Sequence, residues 1–358
     1  MLSLFQIMVL AATATEAALQ FLGNNIDGFD FGCDTEGACD LTATLDPIAD
    51  LGDPNGADQM SHFVDDDGFN LFRLPFGWQF LVNNELGGDL DATAFKAYDG
   101  LVQACLDAGA SCIVEVHNFA RFNGDIVGQS DGKVTDDDLV SLWTQLAQEY
   151  GDEDDILFGL MNEPHDLDMD RWGITMQKVV DAIRKETGNN NKILLLPGTN
   201  FTSAQTFPDE SAPALLKVKN PDGSTDNLVF DVHKYLDEDN SGTHTECVKD
   251  NIDDTFQPLV DFLDKEDRVA MLTETGGGNV ASCSQFLCAQ MDFIDDNSDR
   301  IIGVTTFAAG GFDATFNLTE TPTLDGKNLV DTSLVKDCIA NRKTTKKAKK
   351  VNKRKTLA

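Results

Sequence analysis

Positive charge is scarce in this sequence: 27 Lys and Arg stand against 61 Asp and Glu, a net charge of −34 over 358 residues. Nine of those cations crowd between Arg342 and Lys355, a stretch without a single acid, so the body ahead of it is more acidic still. Such a body repels nucleic acid and anionic membrane, and it suits a neutral polymer. Long apolar runs are also missing. Beyond the N-terminus none approaches 18 residues, so no membrane span is predicted. There is no C-x-x-C pair, no H-E-x-x-H, no His at zinc-finger spacing and no G-x-G-x-x-G. Neither a metal nor an organic cofactor is implied. Gly276–Gly278 lacks the Lys-Ser/Thr of a phosphate cradle and reads as a tight turn. Tryptophan and tyrosine are sparse too, three of each against 23 Phe. Internal repeats are absent.

What is present points to export. Residues 1–17 place an apolar run, Leu2–Ala12, before small residues, which resembles a secretory signal cleaved near Ala14 or Ala17. No Lys or Arg precedes that run. Eight cysteines (Cys33, Cys39, Cys105, Cys112, Cys247, Cys283, Cys288 and Cys338) follow the cleavage site. Their even number suits disulfides in an oxidising compartment. Spacing suggests only the local pairs Cys33–Cys39 and Cys105–Cys112. The expected location is extracellular.

Short apolar runs recur at 21–26, 70–76, 112–118, 156–164, 192–198, 228–235, 269–276 and 301–310. Amphipathic stretches between them predict helices, including Phe95–Ala108, Asp136–Tyr150, Arg171–Thr187 and Thr255–Lys265. Continuous apolar strands are buried on both faces, and their alternation with helices predicts a parallel sheet. Eight units favour an α/β fold of the closed (β/α)8 TIM-barrel type, one domain over residues 18–340. Residues 341–358 form a basic tail with almost no apolar content, expected to be disordered.

Polar residues gather at the C-terminal ends of these runs: Arg73, His117 with Asn118, Asn162 with Glu163, His233 with Tyr235, and Glu274. That end of a barrel carries catalytic groups. Glycosidic cleavage needs one carboxylic acid to protonate the leaving oxygen and a second carboxylate on the opposite side of the sugar. Glu163 in LMNEP and Glu274 in LTETGGG meet that description if the barrel closes. Asn162 offers an amide to a sugar 2-hydroxyl. Pro164 predicts an extended backbone at Glu163.

The segments RLPFGWQFLVNN, VEVHNFARFNG, LMNEPHD, FDVHKYLD and LTETGGGN, with their spacing, resemble glycoside hydrolase family 5, and within it the fungal secreted endo-β-1,4-glucanases. The likeness runs from about Phe21 to Ala340. It implies Glu163 as acid/base and Glu274 as nucleophile, the two carboxyl groups about 5–5.5 Å apart as retaining chemistry requires. It implies Arg73 holding Glu274 ionised, Tyr235 donating to Glu274, and Asn162, His117 and His233 lining the sugar subsite. It also implies the disulfides Cys247–Cys283 and Cys288–Cys338. Asn118 and Phe307 complete the expected substrate contacts. The chain departs from the family in its aromatic platforms: Phe307, Phe122 and Phe201 stand where tryptophan is usual, and Phe119 where tyrosine is. Weaker substrate binding or reduced rate is expected from this.

The resulting expectation is a monomeric enzyme, without cofactor, that cleaves β-1,4-glucosidic bonds in cellulose or related β-glucan with retention. The rival readings are another β-glycan (mannan, xyloglucan or mixed-linkage glucan), a glucan-binding protein with much reduced activity, and a wall-associated structural protein. Two glycosylation sequons begin at Asn200 and Asn317 and follow late strands.

Overall fold

The computed structural model describes residues 18–129 and 131–345. The proposed signal, and the tail from 346 onward, lie outside the described residues. The apolar runs become eight parallel strands. They alternate with helices: β1 Phe21–Asp27, α1 Gly56–Asp65, β2 Leu71–Phe76, α2 Ala92–Ala108, β3 Ser111–Val116, α3 Asp136–Tyr150, β4 Ile156–Gly159 and α4 Met169–Thr187. The second half runs β5 Leu194–Pro197, a short helical segment 207–215, β6 Leu228–His233, α5 Gln257–Glu266, β7 Ala270–Glu274, α6 Ala281–Asp296 and β8 Ile301–Gly310. Strand β1 pairs with both β2 and β8, which closes the barrel. An exposed hairpin follows, β9 Thr323–Asp325 and β10 Asn328–Val330.

Local chemistry sets the helix starts. Asn55 and Thr135 form capping boxes with Asp58 and Asp138, and Asp91 and Asp168 cap α2 and α4. The helix α1, absent from the sequence expectations, carried its signal in that Asn-x-x-Asp box. Gly109 and Gly188, both left-handed, end α2 and α4.

Two apolar layers build the core. The larger lies between strands and helices and buries Trp78, Trp143 and Trp172. The smaller fills the bottom of the barrel with Phe21, Leu71, Ile113, Leu157, Leu195, Val229 and Met271, one residue from each of seven strands. Side chains alternate along a strand, so the next inward residues lie two positions on. These are Arg73, Glu115, Asp231 and Thr273, all buried. A polar layer thus rests on an apolar floor. Gly159 makes room for it: a Cβ there would lie 2.7 Å from the Glu115 side chain.

Four disulfides fasten the connections. Cys33–Cys39 clips the loop after β1, and Cys105–Cys112 ties α2 to β3. Cys247–Cys283 joins the loop after β6 to α6, and Cys288–Cys338 joins α6 to the C-terminal turn 335–339. Residues 341–345 pack on the body. Arg342 contacts Asp292 at 3.0 Å and Asp295 at 2.5 Å, and Thr345 N–H donates to Leu19 C=O at 2.8 Å. No helix among the described residues is long and apolar enough to cross a membrane.

Candidate active site

The polar layer is organised by one cation. Arg73, fully buried on β2, donates through Nη1 to Glu274 Oε1 at 2.5 Å and to Asn25 Oδ1 at 2.7 Å. Its Nη2 donates to Asn162 Oδ1 at 2.6 Å and lies 3.3 Å from Glu115 Oε1. Burial disfavours the guanidinium, yet the carboxylates of Glu115 and Glu274 outweigh this and raise its pKa, so it stays charged.

Glu274 ends β7. A bulge puts it there: Val232 of β6 pairs with Leu272, but His233 pairs with Glu274. The extra residue lets Thr273 and Glu274 both reach the barrel interior, where strict alternation would send one outward. Tyr235 O–H donates to Glu274 Oε2 at 2.8 Å. Burial alone would lift the Glu274 carboxyl. His233, Arg73 and the Tyr235 hydrogen bond instead hold it down to about 2. Burial and the adjacent carboxylates push the Tyr235 hydroxyl well up, which keeps it a donor. Its ring is seated under Gly242, whose added Cβ would fall 2.6 Å from it.

Glu163 lies on the loop after β4, opposite Glu274, with its side chain 18% exposed. Its backbone is not extended, as the following Pro164 predicted, but left-handed at φ 40°. Proline disfavours the right-handed helical region at the preceding residue and leaves this one open. Such a backbone costs of order 1–3 kcal/mol and persists only where neighbours hold it. The Oε1 of Glu163 lies 2.7 Å from His233 Nδ1, which is itself 3.5 Å from Glu274 Oε2. Carboxylate oxygens of Glu163 and Glu274 approach within 4.8 Å of each other. Together with His233 they resemble a metal cradle, but the Arg73 guanidinium already lies against Glu274.

The proton positions can be read from the partners. Thr273 donates its hydroxyl hydrogen to Asp231 Oδ1, so at 2.9 Å it accepts from His233 Nε2–H. Nδ1 then shares a single proton with Glu163: either a neutral imidazole accepts from the carboxylic acid, or an imidazolium donates to the carboxylate. Burial lowers the imidazole pKa, but Glu274, Glu163 and Asp231 together raise it. Replacing Thr273 with Val strands Nε2–H and Asp231, so the shared proton leaves at lower pH. The expected result is an alkaline limb of kcat/KM displaced toward acid, with kcat down about 10- to 100-fold. Thr273→Ser restores both. Identical pH profiles for the Val variant and the wild type would refute the relay.

Asn162 is oriented in the same way. With Oδ1 bound to Arg73, its Nδ2 donates to His117 Nε2 at 3.1 Å, which fixes the orientation of the amide. His117 Nδ1 then faces Glu115 Oε2 at 3.3 Å. Asn118 differs from expectation. It is fully buried, its Oδ1 accepts from Trp78 N–H at 2.6 Å and its Nδ2 donates to Gln79 Oε1 at 2.7 Å. Its amide braces the short helical turn Trp78–Leu81 after β2 and has no face left for a sugar.

The aromatic positions divide. Phe307, on β8 beside a cis peptide to Ala308, is half-buried, with Tyr235 at 6.2 Å and Phe312 at 5.5 Å between ring centroids. Phe312 stacks on Phe316 at 4.0 Å, extending the wall. Phe201 is exposed and stacks on His165 at 4.6 Å beside a pocket of about 250 Å³. Phe122 is 5% exposed and set edge-on to Trp78, so it presents no open platform. Phe119 is likewise buried, edge-on to His117. Asn25, Glu115, Asp231 and Thr273 were missed in the sequence, although their signal was present: polar residues inside the predicted strands, two positions beyond the barrel floor for Glu115, Asp231 and Thr273 and four for Asn25.

The comparisons agree with this geometry. The family model for cellulase (glycosyl hydrolase family 5) matches residues 32–309. The endoglucanase EG-II of Hypocrea jecorina is 51% identical over 333 residues, 92% of this chain and 79% of that protein. The crystal structure of Cel5A (EG2) from the same fungus superposes with a TM-score of 0.87 at 51% identity, covering 90% of this chain and 99% of that one. A solved lucidum protein gives a TM-score of 0.87 at 53% identity over 90% of this chain and 99% of its own. A closed eight-stranded barrel, two facing glutamates at its C-terminal end and these likenesses place the chain in glycoside hydrolase family 5.

Proposed function

We propose that the protein is a secreted, monomeric endo-β-1,4-glucanase that works with retention, its signal at residues 1–17 removed and its catalytic domain spanning 18–340. One observation carries the reading: Glu163 and Glu274 oxygens lie within 4.8 Å, with Glu274 held as a carboxylate by Arg73 and Tyr235. Inverting enzymes set their two carboxyl groups wider, about 6.5–9.5 Å apart, to admit a water molecule, and a nearest-oxygen approach within 4.8 Å fits the shorter retaining spacing better. Four disulfides support an oxidising, extracellular setting.

In the first step Glu163, sharing its proton with His233, protonates the glycosidic oxygen while Glu274 attacks the anomeric carbon. In the second, Glu163 takes a proton from water, which displaces Glu274 from the sugar. Both displacements invert, so the net outcome is retention. Asn162, oriented by Arg73 and His117 beside Glu163, is the residue to offer its second Nδ2 hydrogen to the 2-hydroxyl of the sugar at the scissile bond. The substrate assignment draws on relatives named endoglucanase at 51% identity.

The test is viscosity loss against reducing-sugar release on carboxymethylcellulose and barley β-glucan, with proton NMR of the first anomer formed. Rapid viscosity loss and an initial β-anomer are expected. An α-anomer would refute retention, and turnover only on mannan or xyloglucan would reassign the substrate. A Phe at the reaction-centre platform offers less stacking area than Trp and no N–H donor. Phe307→Trp should therefore raise kcat/KM about 2- to 5-fold, roughly 0.5–1 kcal/mol. No gain would dissociate the aromatic change from catalytic efficiency.

A further inference from the structure

A second convergence of histidine and carboxylates lies at the opposite end of the barrel, and glycosidic cleavage makes no use of it. His62 sits in the last turn of α1, Asp67 in the turn leading into β2, and Asp331 directly after β10. His62 Nε2 is 2.7 Å from Asp331 Oδ1 and 3.7 Å from Asp67 Oδ2. One donor atom from each of the three residues falls within a span of 4.8 Å. Asp67 is 4% exposed, and its Oδ2, aimed at the imidazole nitrogen, has no hydrogen-bond donor among the described residues. On the other side of the ring, Nδ1 lies 2.8 Å from Asp66 Oδ2.

That arrangement leaves one buried carboxylate oxygen unmet. With Nδ1–H donated to Asp66, a proton on Nε2 serves Asp331 at 2.7 Å but lies too far, at 3.7 Å, to serve Asp67 Oδ2. A cation in place of that proton would serve both carboxylates at once. A carboxylate behind the histidine, fixing its tautomer and aiming the far nitrogen, is the usual setting of a metal-ligating imidazole.

We propose that His62, Asp67 and Asp331 form a structural site for one divalent cation of zinc-like preference, which ties the β9–β10 hairpin to the base of the barrel. Ligands around tetrahedral zinc lie roughly 3.4 Å apart, given bonds of about 2.0–2.2 Å. The 3.7 Å pair lies near that spacing, and the 2.7 Å pair, a hydrogen bond, widens toward it when the cation takes the place of the proton. Mixed imidazole and carboxylate donors suit zinc ahead of calcium or magnesium. A pocket of about 370 Å³, lined by Ser61, His62, Asp65, Asp66 and Lys327 among others, adjoins the imidazole. The hairpin is otherwise exposed. The barrel's N-terminal face is where stability, not catalysis, is built.

The test uses the tag-free secreted protein, stripped with a chelator and titrated with zinc chloride. Elemental analysis and calorimetry are expected to show one zinc bound at this site, with Tm rising roughly 5 °C at a hundredfold excess over Kd. Asp331→Asn, at the rim and tolerant of folding, should weaken binding at least about tenfold and remove the Tm increment. Its turnover on soluble glucan should match the wild type. Glu163→Gln and Asp239→Asn must retain the zinc, since they belong to the two other His/Asp/Glu clusters of the described residues, Glu163–His233–Glu274 and Asp237–Asp239–His244. No zinc bound in large excess, or binding unchanged in Asp331→Asn, would overturn the proposal. Either failure leaves the glucanase reading untouched.

Discussion

Glu274→Gln will abolish turnover on every glucan, with kcat down by at least about 10⁴-fold, because no nucleophile remains to form the glycosyl-enzyme. The glutamine is nearly isosteric, keeps its contact with Arg73 and Tyr235 as a neutral group, and leaves the cleft shape unchanged. Binding of cellooligosaccharide should therefore persist. Glu163→Gln should behave differently. It loses general acid help, worth about 10²–10⁴-fold on a polysaccharide whose leaving group needs a proton. On an aryl cellobioside with an acidic phenol as leaving group, no proton is needed and the first step survives. A burst of phenol followed by slow release is the expected trace, and added azide should accelerate the second phase and yield a β-glycosyl azide. Equal losses for both variants on the aryl substrate would refute the separate roles. If Glu274→Gln kept the burst and Glu163→Gln lost it, the roles would be exchanged.

Much of this site was legible in the sequence because its residues interrupt apolar runs. A buried strand admits a charge only when something compensates it, so Arg73 and Glu274 in otherwise apolar segments announce a partner. The eight runs became the eight strands, with ends moved by a few residues. The largest difference is at 156–164, where the strand stops at Gly159 and Asn162 N–H instead reaches back to Val116 C=O at 2.8 Å. What escaped was non-local. The bulge at Thr273 depends on how β6 pairs with β7, and alternation along a single strand does not contain it. Asn118 looked like a cleft residue beside His117, yet its amide faces Trp78 and Gln79, in the short helical turn Trp78–Leu81 some 40 positions away. The wall of Phe307, Phe312 and Phe316 forms only when the loop after β8 folds back over the barrel mouth.

The residue that binds these pieces together is Arg73, and its replacement should separate charge from geometry. One guanidinium reaches Glu274, Asn25, Asn162 and Glu115 at once. Arg73→Met removes the charge and leaves Glu274 and Glu115 buried without it, a change that costs about 3–5 kcal/mol of stability. The Glu274 carboxyl, at about 2 in the native site, then rises. A carboxyl depressed in the folded state stabilises the fold above its unfolded pKa, and that contribution fades as pH falls toward about 2. The wild type should accordingly keep Glu274 ionised throughout the weakly acidic range. In Arg73→Met the acidic limb of kcat/KM should move up by one unit or more, on the order of 1.4 kcal/mol per unit, with kcat about 10²- to 10³-fold lower. Arg73→Lys keeps a cation but presents a single ammonium in place of the fork. It should hold the acidic limb near its wild-type position while losing the grip on Asn162, so its loss should appear in kcat without a displaced profile. Calorimetric Tm and pH–rate profiles of the two variants decide the matter. If neither Lys nor Met shifts the limb, the charge of Arg73 is not what keeps the nucleophile ionised, and His233 and Tyr235 hold it alone; an equal upward shift in both would assign the effect to the guanidinium fork instead of its charge.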